Sequence, residues 1–97
     1  MLDYETIYVN GQWEIVPDSK PLAVTDPATG EAVGSAPNCS GAVVDLAVAA
    51  ARHAFPSWSN TDRAERRDLL VRLVTLLRDD AENLAQIIHR EMGSTIE

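Results

Sequence analysis

The stretch Thr61–Gly93, TDRAERRDLLVRLVTLLRDDAENLAQIIHREMG, decides the fold. Leu70, Leu73, Val74, Leu77, Ala81, Leu84, Ile87 and Ile88 recur at spacings of three and four, which lines one side of a helix. Arg63, Arg67, Asp68, Arg72, Arg78, Asp79 and Gln86 fall mostly off that stripe. Asp62 and Glu65 sit in the first turn, where the helix dipole favours negative charge. Gly93 follows Arg90 and Met92, where a helix stop is expected. One straight rod of this length would run roughly 45 Å.

Asp79-Asp80-Ala81-Glu82 interrupts the rod with a second start signal, because an Asp79 cap with Glu82 three residues on has capping-box spacing. The expectation is two helices, about 62–78 and 80–92, with a bend or short break between them. The alternative is one continuous helix with a solvated acidic turn. Either way the apolar stripe is too wide to face solvent, and much of what it rests on is expected to be absent from this chain.

Before it, Ser40 is a plausible N-cap for a helix over Gly41–Phe55, whose residues are mostly small and apolar. Such a helix is expected to be buried on most of its surface. Pro56 is expected to end it, with Ser57-Trp58-Ser59-Asn60 as connector. Further upstream, Ile7-Tyr8-Val9-Asn10-Gly11-Gln12-Trp13-Glu14-Ile15 is a hairpin signal, since Asn-Gly tolerates the positive φ of a tight primed turn. Leu22–Asp26 and Glu31–Ala36 flank Pro27-Ala28-Thr29-Gly30 as a second hairpin closed by Pro37. Hairpins this poor in large apolar side chains hold no core of their own, so they are expected to lie across the helices. The fold class is α+β: two short antiparallel hairpins followed by about three helices. It divides into a β-hairpin region at 1–39 and a helical region at 40–97.

Composition excludes several functions. With 97 residues, 45% of them hydrophobic, the chain is one small globular unit. No apolar run approaches a membrane span. Met1-Leu2-Asp3-Tyr4-Glu5 lacks the basic-then-apolar order of a signal peptide. One cysteine closes no internal disulfide and fits a cytoplasmic location. The net charge is −7; residues 1–40 carry six acids against one Lys, and residues 41–97 nine acids against seven Arg. No basic face serves a nucleic acid partner, and the arginines of 63–78 alternate with acids as on a solvated helix face.

No complete active site is written in the chain. Gly30, Gly34 and Gly41 are scattered turn and cap residues without phosphate-loop spacing. His53 and His89 stand alone, and Cys39 has no neighbouring Cys, so no metal-ligand spacing exists. Cys39 as nucleophile and His89 beside Glu91 as acid–base pair are each outweighed by ordinary loop and helix-surface roles. Trp13 and Trp58 are packing anchors before they are ligand platforms. Catalytic, cofactor-binding and metal-binding residues are therefore expected to be none.

Five runs nevertheless stand in a telling order: Val9-Asn10-Gly11-Gln12-Trp13; Asp26-Pro27-Ala28-Thr29-Gly30-Glu31; Ala47 through Trp58; Arg63 through Leu70; and Glu91-Met92-Gly93. In that order and spacing, from about Tyr8 to Ile96, the chain resembles the N-terminal segment of the aldehyde dehydrogenase superfamily. Asp26-Pro27 stands where the family usually has Asn-Pro, and Ser94 where a Lys often follows the closing Gly.

The resemblance implies a parent with a Rossmann-type coenzyme domain, a catalytic domain and an oligomerisation arm. It implies that this segment packs its helices on the coenzyme domain. The parent chemistry would be oxidation of an aldehyde to a carboxylic acid by thiolate attack, hydride transfer to NAD or NADP, and thioester hydrolysis. The family's nucleophilic cysteine, general-base glutamate, oxyanion asparagine and coenzyme-contacting lysine and glycines all lie downstream, and Cys39 does not occupy the nucleophile's position. The leading expectation is therefore a truncated or cut N-terminal piece, inactive alone, whose partner is the rest of the parent chain. The alternative is a non-catalytic helical module that self-associates through 41–92. The isolated chain is expected to be a dimer or larger in either case.

Overall fold

The computed structural model describes residues 2–96; Met1 and Glu97, the outer ends of the expected regions 1–39 and 40–97, lie outside them. Among the described residues, five short strands precede three helices. They are β1 (Leu2–Asp3), β2 (Thr6–Val9), β3 (Gln12–Ile15), β4 (Leu22–Thr25), β5 (Ala32–Ala36), α1 (Gly41–Ser59), α2 (Arg63–Asp79) and α3 (Ala81–Met92). The architecture is α+β.

β2 and β3 pair antiparallel with Tyr8 opposite Trp13, ring centroids 5.2 Å apart. The turn joining them places Asn10 at φ 52° and Gly11 at φ 77°, the two left-handed positions a primed turn demands. β4 and β5 form the second hairpin, with a register shift between Val24 and Thr25. Its turn is fastened by Asp26. The carboxylate accepts from the Ala28 and Thr29 backbone N–H groups at 2.7 and 3.3 Å, and the Asp26 carbonyl accepts from Gly30 N–H at 2.7 Å. β1 was not anticipated: Leu2 and Asp3 pair parallel with Gly34 and Ser35, completing a sheet of order β1–β5–β4. Two residues carry too little pattern to announce a strand. The pairing is sealed by Ser35 Oγ donating to Asp3 Oδ1 at 2.9 Å and by Tyr4 N–H donating to the Ser35 carbonyl at 3.0 Å.

α1 begins at the expected cap, Ser40, whose Oγ accepts from Val43 N–H. It does not stop at Pro56. Proline withholds its own N–H and crowds the carbonyl four residues back, but residues beyond it can still bond backwards. Here the Pro56 carbonyl accepts from Asn60 N–H, Asn60 Nδ2 and Ser59 Oγ, which carries the helix one further turn. α2 is capped by Asp62, whose carboxylate accepts from Ala64 N–H at 3.1 Å.

The break between α2 and α3 exists and is one residue long, Asp80. The capping box does not form as expected. Asp79 is the last residue of α2, the Asp80 carboxylate takes no backbone N–H and instead accepts from Asn83 Nδ2, and Glu82 accepts from Gln86. α3 ends at Gly93 with φ 73°, and the Gly93 N–H returns to the His89 carbonyl at 2.9 Å.

The hairpins reach the helices in one substantial place. β4 meets α3, and the Gly93 corner sits over Pro27, but α1 makes no extensive contact with any other element among the described residues. The buried interior is correspondingly small: Val16 is the one buried hydrophobic side chain among the described residues, with Gly34 buried beside β1. α1, expected to be mostly buried, has no buried residue.

Candidate functional site

The residues weighed for chemistry do not converge. Cys39 lies half-buried in the loop between β5 and α1, in a shallow groove with Asp18, Lys20 and Asn38, and forms no disulfide. His53 sits on exposed α1. His89 Nδ1 lies 2.7 Å from the Ser94 carbonyl oxygen. A carbonyl only accepts, so Nδ1 carries the proton and the ring serves the α3 terminus. Trp13 is 70% exposed on the hairpin, packed on Tyr8, so it anchors that pair rather than a core. Trp58, expected in a connector, rides on the last turn of α1, beyond Pro56. No group of three or more His, Cys, Asp or Glu side chains could hold a metal ion among the described residues.

What the fold does present is an uncovered apolar surface. On α2, Leu70, Val71, Leu73 and Leu76 are between 50% and 66% exposed, and Arg66, half-buried, is the least exposed residue of the helix. On α1, Leu46 and Phe55 stand 68% and 65% exposed. The total accessible surface is 8130 Å², whereas a compact monomer of this mass exposes about 5,500 Å². The excess of about 2,600 Å² is far above the ~800 Å² per partner that a standard-size interface covers. This arrangement can dock polypeptide.

The aldehyde dehydrogenase family model matches residues 15–97, and the chain belongs to this family. Among its relatives, a 3-succinoylsemialdehyde-pyridine dehydrogenase of Pseudomonas sp is 35% identical over 96 residues, covering 99% of this chain and 20% of the relative. An N-succinylglutamate 5-semialdehyde dehydrogenase of Caulobacter vibrioides is 40% identical over 90 residues, covering 93% of this chain and 18% of the relative.

Solved structures superpose equally fully. The aldehyde dehydrogenase from Bartonella henselae gives a TM-score of 0.90 at 31% identity over 97% of this chain and 20% of its own. The Mycobacterium tuberculosis aldehyde dehydrogenase complexed with NAD+ gives 0.87 at 34% identity over 95% and 20%. The chain thus corresponds to the N-terminal segment of these enzymes and spans about a fifth of their length.

Proposed function

We propose that these 97 residues are the N-terminal part of an NAD(P)-dependent aldehyde dehydrogenase, a cytoplasmic oxidoreductase, and that they serve it as scaffold rather than as reacting machinery. The observation that carries this is the superposition of nearly the whole chain on a fifth of solved aldehyde dehydrogenases. The nucleophile, its base, the oxyanion donor and the coenzyme contacts belong to the remaining polypeptide, which is the natural partner of the exposed helices. No residue of this chain is assigned a catalytic, cofactor-binding or metal-binding role.

The residues present do not fit a dinucleotide. The helix after β5 opens on Ser40, whose own Oγ occupies the Val43 N–H, and no run of glycines brings backbone close enough for a pyrophosphate. The regions 1–39 and 40–97 act as two parts of one coenzyme-domain flank. A charge of −7 without a basic groove argues against nucleic acid as partner. No helix among the described residues is long and apolar enough to cross a membrane.

The test is an assay of the 97-residue chain with NAD+ or NADP+ and an aldehyde, beside the polypeptide encoded by the continued reading frame. Turnover is expected only from the longer chain. Turnover by the 97 residues alone, or a frame with no oxidoreductase sequence after Glu97, overturns the proposal. The surface that favours a missing scaffold partner also favours a second reading, a self-associating helical module. That reading gains if the frame ends here and the chain forms one assembly of fixed size at all dilutions.

A further inference from the structure

We propose that the Arg63–Arg78 face of α2 docks an apolar segment of the same polypeptide, downstream of residue 97, that carries a carboxylate at each end; this rests on the reading above. Six residues define the face. Arg63, Arg67, Leu70, Val71, Val74 and Arg78 fall within about 100° of arc around the helix axis. Leu70, Val71 and Val74 form its middle, 56%, 52% and 44% exposed, and a shallow groove runs along them between the arginines. Arg67 and Arg78 lie about 16 Å apart along the axis. Arg67 pairs with Asp68 at 3.5 Å in an open position; it is the one ion pair among the described residues.

The charge pattern selects the occupant. α2 carries five arginines against three acids, while the rest of the chain carries three basic residues against twelve acids. α2 is therefore the one strongly basic element in an acidic chain. An extended anionic surface, such as a membrane or a nucleic acid, meets the whole charge of −7 and is repelled. A short segment meets only charges within about 10 Å, the screening length at moderate salt, and there the arginines dominate. A second copy presenting the same face sets arginine against arginine whether the two helices run parallel or antiparallel, so it is disfavoured. An apolar strip with acidic ends satisfies both the leucine–valine middle and the arginine rim.

The experiment replaces Arg67→Lys and Arg78→Lys in the polypeptide encoded by the continued frame, which keeps charge and helix preference. A carbodiimide activates any carboxylate in contact. The Lys Nζ attacks it, an amide forms, and the urea leaves, having taken up the elements of water. Arginine does not couple, so the unsubstituted chain is the control. Mass spectrometry of a mixture of isotope-labelled and unlabelled protein separates links within one chain from links between copies.

Links from positions 67 and 78 to Asp or Glu beyond residue 97 of the same chain, flanking an apolar stretch and absent from the control, are expected. Links only within α2, links to another copy, or none at all overturn the inference. Dehydrogenase activity is measured on the same sample. An active enzyme without the links sinks this inference alone, and an inactive polypeptide with them sinks the functional reading alone. A frame that stops after Glu97 sinks both.

Discussion

Single side chains hold most of what is regular in the strand region, because there is so little interior to do it. Asp26 is the clearest case: one carboxylate bridges two backbone N–H groups at the β4–β5 turn. Asp26→Ala should cost about 1–2 kcal/mol by removing that acceptor, while Asp26→Asn, which keeps an oxygen there, should be close to neutral; urea unfolding of the two variants checks it. Gly34 is held by crowding instead. A Cβ at this position would fall on the Leu2 carbonyl oxygen, backbone that cannot step aside without breaking β1 from β5. Gly34→Ala should cost about 1–3 kcal/mol and release the Tyr4 amide to fast hydrogen exchange, since its bond to Ser35 goes with the strand. At this scale the sequence was a good guide to turns, where Asn10-Gly11 and Asp26 act within a few residues. It was silent on Gly34, whose constraint comes from a strand 32 positions away in the chain.

Among the elements, the helices were legible because their signals are local and periodic. Ser40 and Gly93 each mark the boundary they are read to mark, while Asp62, read as a first-turn acid, is the cap itself. Gly93 at φ 73° is the strongest of these stops, and its missing Cβ would also press on Pro27 Cγ at 3.2 Å. Gly93→Ala is expected to destabilise by about 1 kcal/mol and Gly93→Asn by less, since Asn tolerates the left-handed region; thermal unfolding followed by circular dichroism distinguishes them. Pro56 misled because a proline in the last turns forfeits a single bond, and Ser59 and Asn60 then supply donors to its carbonyl. Asp79–Glu82 marked the break but not its chemistry: the cap position falls on Asp80, whose carboxylate takes no backbone N–H, so no capping box forms. β1 was illegible for the opposite reason: its pairing is entirely long-range.

The whole molecule is a plate of 48 × 38 × 16 Å with a radius of gyration of 16.9 Å, against about 12.5 Å for a compact domain of this length. Composition gave the apolar fraction but not its placement, so the sequence suggested a partner without showing how little the chain encloses by itself. The open plate has a direct outcome in solution. The isolated 97 residues should associate in a concentration-dependent way and bind a hydrophobic dye, both measurable by sedimentation and fluorescence, and Phe55→Ser on the exposed α1 should weaken the association. A dilution-independent monomer that binds no dye would contradict this. The candidate site followed the same limit: the absence of motif spacing was plain in the residues, while the docking face of α2 needed the exposures of a folded chain.

The elbow at Asp80 sets a phase as well as a bend. Because a single residue separates α2 from α3, lengthening or shortening the join by one position would spin α3 by about 100° about its own axis. The half-buried Leu84, Ala85 and Ile87 of α3 would then leave the direction they share, so this joint should refuse a one-residue insertion.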